Sequence, residues 1–237
     1  MKLQKLIAST GYCSRRKAEK LILNGKNVYV NNKLATVGMR VDEGDEVCID
    51  NVLINTKQKK VYIKLNKPVG YTSTSAKFDS EKNVYELLPE KVREDKSLHI
   101  VGRLDKNSCG LILFTNDGAM TQILTHPSFE HEKKYLVTLK GKHIRDVTSI
   151  TNKFTQGMRL KEIGNVKAKQ VRYLGKSRFE VILTEGKKRQ IRNMFAEINE
   201  EVIFLQRISI GSLVLGDLEE TQWKYLTPSE VNKLKEG

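Results

Sequence analysis

Val101-Gly102-Arg103-Leu104-Asp105-Lys106-Asn107-Ser108-Cys109-Gly110 is the most information-dense stretch of this 237-residue chain. It lies between two apolar, strand-like runs, His99 to Val101 and Leu111 to Phe114. On spacing alone it reads as a polar loop in which Asp105 caps a turn and Arg103 is solvated, because Asp bonds its own backbone in turns and connections run over the surface. Outward from it, Val61 to Leu65, Tyr135 to Leu139, Val166 to Tyr173, Phe179 to Leu183 and Val202 to Ile210 have the apolar and β-branched character of strands. Asn83 to Leu88, Ala119 to Leu124, His143 to Lys153, Lys188 to Ile198 and Pro228 to Leu234 read as helices. The best marked carries Ile191, Met194, Phe195 and Ile198 at i, i+3, i+4 and i+7, one buried stripe. Strands and helices interspersed without a regular strand-helix-strand repeat predict an α+β domain with a mainly antiparallel sheet.

The amino-terminal end has a different texture. Nine basic side chains precede position 41 (Lys2, Lys5, Arg15, Arg16, Lys17, Lys20, Lys26, Lys33 and Arg40) against one acid, Glu19. The Ser14 hydroxyl can cap a helix that Gly25 ends, with Ala18, Leu21 and Ile22 on its apolar side. That leaves Arg15, Arg16, Lys17 and Lys20 on the polar side. Val28 to Val30, Leu34 to Val37 and Val47 to Ile54 follow as short strands with polar turns. The polar run 55–60 lacks apolar periodicity, as a linker should. The expected organisation is therefore a small module over 1–54, a linker over 55–60 and a larger domain over 61–237.

Composition narrows the partners. Forty-two Lys and Arg against 28 Asp and Glu give a net charge of +14, the sign and size of a protein that meets phosphate backbones. Hydrophobic residues at 39% argue against a disordered chain. No stretch reaches the roughly 18 apolar residues of a membrane span, and the amino terminus lacks a signal-peptide pattern, so no membrane partner is expected and the cytoplasm is the expected compartment. Cys13, Cys48 and Cys109 are far apart, and the four histidines show no ligand spacing, so neither a disulfide framework nor a metal site is expected.

Gly102-Arg103-Leu104-Asp105, followed by Ser108, Gly110-Leu111-Ile112-Leu113, Thr115 and Asp117-Gly118, resembles the signature of the RsuA/RluB/RluF branch of pseudouridine synthases. Three further stretches resemble the same branch in the same order: 65–70 (Leu65-Asn66-Lys67-Pro68-Val69-Gly70), 132–137 (Glu132 to Val137) and 184–194 (Thr184 to Met194). Residues 6–19 resemble an S4-type RNA-binding module. The resemblance implies an S4-like domain followed by a pseudouridine synthase catalytic domain. That enzyme would act without a cofactor, as a monomer, on ribosomal RNA. The runs 131–138 and 107–110 are nearer to the 23S enzymes of the branch than to the 16S one.

By that resemblance Asp105 is the catalytic carboxylate, acting as nucleophile or as base, and Arg192 is its ion-pair partner. A carboxylate suits either route because it is ionised at neutral pH, and a nearby cation keeps it so when buried. Tyr135, ordinary strand packing by default, lies against the target base, and Arg103 fills the gap left by the displaced uridine. Lys67 and Arg189 are assigned to phosphates, as are Arg15, Arg16, Lys17 and Lys20. Two readings of other classes compete. A non-enzymatic S4-type RNA-binding protein accounts for residues 1–54 and the charge, but not for four ordered motifs. A metal hydrolase built on Asp95, His99, Asp105 and His126 has spacings that match no ligand motif.

Overall fold

A computed structural model describes residues 1–25, 27–42, 44–56, 58–74, 81–141, 144 and 146–236. Lys26, Lys57 and His143, used in the reading above, lie outside the described residues, as does the start of the helix expected from His143. The chain divides into two compact units. The first comprises Met1–Tyr62, Leu88–His99 and Phe114–Gly118, and the second Ile63–Leu87, Ile100–Leu113 and Ala119–Gly237.

In the first unit, helices α1 (Leu3–Ser9) and α2 (Arg15–Leu23) precede four short strands, β1 (Val28–Val30), β2 (Lys33–Leu34), β3 (Val47–Ile49) and β4 (Val52–Leu53). These form an antiparallel sheet in the order β2-β1-β3-β4. The expected caps are in place: Ser14 accepts from the Lys17 N–H at 3.3 Å, and Gly25 follows the helix at φ +62. Leu3, Ile7, Ala18 and Ile22 pack with Val28, Val47 and Ile49 into one core. Each such aliphatic side chain, fully buried, contributes about 1.5–3 kcal/mol.

Two strand expectations are corrected here. Val47 to Ile54 is a hairpin, because Asp50 and Asn51 both take φ above zero (50 and 63), the requirement of a two-residue mirror-image turn. The strand expected over Leu34 to Val37 stops at Leu34, since the Met39 N–H bonds the Thr36 carbonyl and closes a turn. A short helix, α3 (Glu90–Arg93), belongs to this unit as well.

The main sheet has nine strands: β5 (Tyr62–Lys67), β6 (His99–Val101), β7 (Cys109–Thr115), β8 (Lys133–Leu139), β11 (Gln170–Gly175), β12 (Arg178–Leu183), β13 (Val202–Ile210), β14 (Leu213–Val214) and β15 (Trp223–Tyr225). Its order is β11-β12-β8-β13-β7-β5-β15, with β14 on β13 and β6 on β7. Pairs β11–β12, β12–β8, β8–β13, β13–β14 and β5–β15 are antiparallel, and β7 runs parallel to β13. A separate hairpin joins β9 (Met158–Leu160) to β10 (Gly164–Val166). The helices are α4 (Gly118–Thr125), α5 (Val147–Gln156), α6 (Gln190–Ala196) and α7 (Pro228–Glu236). Phe154 of α5, Phe195 of α6 and Phe179 of β12 meet at ring-centroid distances of 4.8 and 5.5 Å, which seats both helices on the sheet. Among the described residues no helix is long and apolar enough to cross a membrane.

Local hydrogen bonding explains where this unit departs from expectation. Val166 to Tyr173 is two strands, broken where the Ala168 N–H turns to the Phe154 carbonyl. Asn83 to Leu88 is a 3-10 turn at Val84–Leu87: the Asn83 side chain accepts from the Tyr85 N–H, Glu86 reaches back to the Asn83 N–H, and Pro89 follows. Helix α6 ends at Ala196, before Ile198, because Asn199 takes φ +60 and the Glu200 N–H bonds the Phe195 carbonyl.

The tightest backbone approach is at Gly110, which has φ +100 and would hold a Cβ 2.3 Å from the Arg207 carbonyl oxygen and 2.8 Å from its nitrogen. Gly110→Ala should therefore cost roughly 3 kcal/mol or more, combining φ strain with a backbone clash. Chemical denaturation measures it, and a loss within about 0.5 kcal/mol of zero would show that β7 and β13 can separate freely.

Candidate active site

The loop from β6 to β7 carries Asp105, and several groups pin it. A Ser108 N–H to Asp105 O bond of 3.0 Å closes its turn. Ser73 donates its hydroxyl to the Leu104 carbonyl at 2.8 Å and accepts the Leu104 N–H at 3.2 Å. Arg207 donates Nε to the Leu111 carbonyl at 2.8 Å and reaches the Arg103 carbonyl with Nη1 at 3.5 Å. Lys67 supplies a further support. Its Nζ donates to the carbonyls of Ser108 (2.5 Å), Pro68 (2.9 Å) and Lys106 (3.4 Å).

The expectation that Lys67 touches a phosphate fails on this geometry. Its side chain is 0% exposed and its ammonium is occupied by three carbonyls. Burial pushes the ammonium pKa down to about 8, against the opposing pull of Cys109 and Asp105.

Arg192 is also used differently from expectation. Nη1 donates to the Val202 carbonyl at 2.7 Å and Nη2 to the Asn107 carbonyl at 2.6 Å. Among the described residues it forms no direct ion pair with a carboxylate. It holds the loop two residues beyond Asp105 instead. Burial, then the charge of Arg189, lowers its pKa, and the charges of Asp105 and Cys109 oppose that fall. The two side chains are thus electrostatically coupled without touching.

Tyr135, 9% exposed, stands in the middle of β8 with Val181 and Arg207 as its cross-strand partners. Asp105 is half-buried, while Arg103 and Arg189 are exposed, the latter at φ +52 just before α6. These residues all belong to the second unit. Arg15, Arg16, Lys17 and Lys20 are exposed together on α2 in the first. Sequence reading missed Arg207, a 4% exposed cation in the middle of an apolar strand. A charge at an inward position of Val202 to Ile210 was its signal, since buried charges need a reason.

The arrangement offers a half-buried carboxylate on a loop held by hydrogen bonds from Lys67, Ser73, Arg192 and Arg207. Such a carboxylate can attack or take a proton without being displaced from its geometry. Among the described residues no group of three or more His, Cys, Asp or Glu side chains could hold a metal ion.

Residues 1–47 match the S4 domain and residues 61–197 match RNA pseudouridylate synthase. An RNA-binding module joined to this catalytic domain defines an RNA-modifying isomerase, one that turns uridine in RNA into pseudouridine. The chain belongs to the RNA pseudouridylate synthase family. It is 35% identical to the ribosomal large subunit pseudouridine synthase B of Bacillus subtilis (strain 168), over 99% of this chain and 95% of that one. It is 36% identical to the dual-specificity RNA pseudouridine synthase RluF of Escherichia coli (strain K12), over 98% of this chain and 77% of that one. A crystal structure of a pseudouridylate synthase superposes with a TM-score of 0.70 at 28% identity, over 99% of both chains. Both the expected two-part architecture and the expected enzyme class hold, and the reading as a purely binding protein falls.

Lys67→Met keeps the stem of the side chain and removes the donor shared by three carbonyls. The variant should lose about 3 kcal/mol of stability, the order expected when buried acceptors are left unpaired. A thermal or denaturant transition equal to wild type would mean that the loop does not depend on the ammonium.

Proposed function

We propose that this enzyme isomerises a uridine of 23S rRNA, with Asp105 as the reacting carboxylate. The observation that carries the assignment is the pinning of the Asp105 loop by Lys67, Ser73, Arg192 and Arg207 while Asp105 itself is only half-buried. In this reading Asp105 attacks the nucleotide or removes a ribose proton. Both routes need a carboxylate held in a fixed place. Tyr135 packs against the target base and Arg103, exposed at the loop's edge, occupies the space that the uridine leaves. Arg192 serves by holding the Asn107 carbonyl and by its field at Asp105. Arg189 meets phosphate.

Support for the large-subunit target comes from the Bacillus subtilis relative, whose name assigns it to the large ribosomal subunit. The same reading takes residues 1–54 as the S4-like RNA-binding domain, 55–60 as linker and 61–237 as the catalytic domain. The protein works as a monomer in the cytoplasm, where its RNA is.

Asp105→Asn removes a charge and keeps nearly the same shape. Pseudouridine formation should fall by more than about a thousandfold while the unfolding transition stays put. Mapping pseudouridine in rRNA from a strain carrying the variant reads both the activity and the target. Residual activity within about tenfold of wild type would overturn the role of Asp105, and a missing 16S rather than 23S modification would overturn the target. Replacing Arg15, Arg16, Lys17 and Lys20 together by Gln should lower the slope of log affinity against log salt by about 0.7–0.9 for each phosphate that the helix no longer neutralises. An unchanged slope in salt titrations would make that helix face a solvated surface only.

A further inference from the structure

Two cations of the second unit have bonding capacity that the assigned reaction does not use. Arg207 uses Nε and Nη1 on carbonyls, but its Nη2 is buried with no hydrogen-bond partner. A buried donor left unpaired is costly and calls for an explanation. Lys133, half-buried, reaches the Thr184 carbonyl with Nζ at 3.5 Å, the outer limit of a hydrogen bond. Burial lowers its pKa, and the like charge of Arg207 lowers it further. Among the described residues neither cation is paired with a carboxylate.

Strand register places the two near Tyr135, with Lys133 opposite Ile210 beyond a register shift that follows Arg207. Lys133 and Tyr135 are two residues apart on β8 and so share a face, and Arg207 is the cross-strand partner of Tyr135 on β13. On the loop side, the Arg207 Nη1 lies 3.9 Å from where a Cβ of Gly102 would stand, and the Thr125 methyl carbon lies 4.0 Å from the same point. The guanidinium therefore sits beneath the turn where the Asp105 loop begins, at the end of α4. Arg207, 4% exposed, and Lys133, half-buried, have no carboxylate opposite them and gain from an anion, and a guanidinium and an ammonium both suit the oxygens of a phosphate.

We propose that Lys133 and the free Nη2 of Arg207 form an anion pocket that takes a non-bridging oxygen of the RNA phosphodiester flanking the target uridine. The proposal rests on the reading of Tyr135 as the residue that packs against the target base. It explains both the unpaired donor and the absence of a counter-charge, because the substrate brings them.

The test uses the full-length protein and an rRNA fragment that wild type is first shown to modify, so failure of the rRNA reading appears separately from failure of the pocket. The probe is that fragment with the linkage on one side, then the other, of the target uridine replaced by an uncharged methylphosphonate. For one of the two linkages, wild-type affinity should weaken roughly tenfold, the loss of a charge-assisted hydrogen bond. Lys133→Met should bind the unmodified fragment with a salt slope smaller by about 0.7, and its affinity should change by no more than about twofold on the same replacement, because the partners are coupled. Lys133→Arg should restore the slope. Arg207→Lys is judged first by its melting transition, and if it unfolds the Lys133 variants decide. Equal wild-type affinity for charged and uncharged linkages, or a Lys133→Met variant as sensitive to the replacement as wild type, would overturn the pocket.

Discussion

Taking the Lys67 ammonium out of water is the step on which the Asp105 loop depends. An unpaired buried cation is among the costliest groups a protein can hold, so Lys67 can be buried only where carbonyl oxygens converge on it. Those oxygens come from Pro68, just after β5, and from Lys106 and Ser108, just before β7. The first motif of the chain and the Asp105 loop are in this way one polar cluster. The Gly70 N–H bonding the Lys106 carbonyl at 2.8 Å adds a backbone tie to the same cluster. Once Lys106 to Ser108 are fixed, Gly110 must enter the sheet against Arg207, where its lack of a side chain is required.

Charge around the loop follows the same economy. Three cations around the loop are held by backbone carbonyls rather than by acids: Lys67 by three of them, Arg192 by two and Arg207 by two. Carbonyls satisfy donors without cancelling charge. Direct ion pairing with carboxylates would have neutralised it. The surface pairs of this unit, such as Lys169–Glu132 and Lys140–Glu201, stand in exposed positions where such pairs are worth little.

Legibility in the sequence followed the range of the interactions involved. Helix α2 was readable from Ser14, Gly25 and its apolar spacing because caps and periodicity are local, and β13 was readable to its ends for the same reason. The hairpin at Asp50 and Asn51 was misread as continuous strand, since apolar residues on both sides masked a turn that two positive φ values define. The early helix α1 was missed: Lys2 at its amino terminus makes no side-chain cap, so its apolar residues Leu3, Leu6 and Ile7 had no start signal. At the site, the motifs marked the loop, but the duties of Lys67, Arg192 and Arg207 were not readable. Each depends on at least one partner between 39 and 104 residues away, which no local pattern encodes.

The parallel pairing of β7 with β13 also orders events during synthesis. Arg207 bonds the Leu111 carbonyl across 96 residues of chain, and the Cys109 thiol reaches the Leu205 carbonyl across the same span. At a translation rate of about 5–20 residues per second, the Asp105 loop exists for roughly 5–20 s before its last support is made. Contacts this distant in sequence also close late in folding, after the chain entropy of a long loop has been overcome. The supports of the Asp105 loop are therefore completed only after Arg207 has been made, and a nascent chain that already carries the S4 domain and the loop itself cannot yet hold that loop in place.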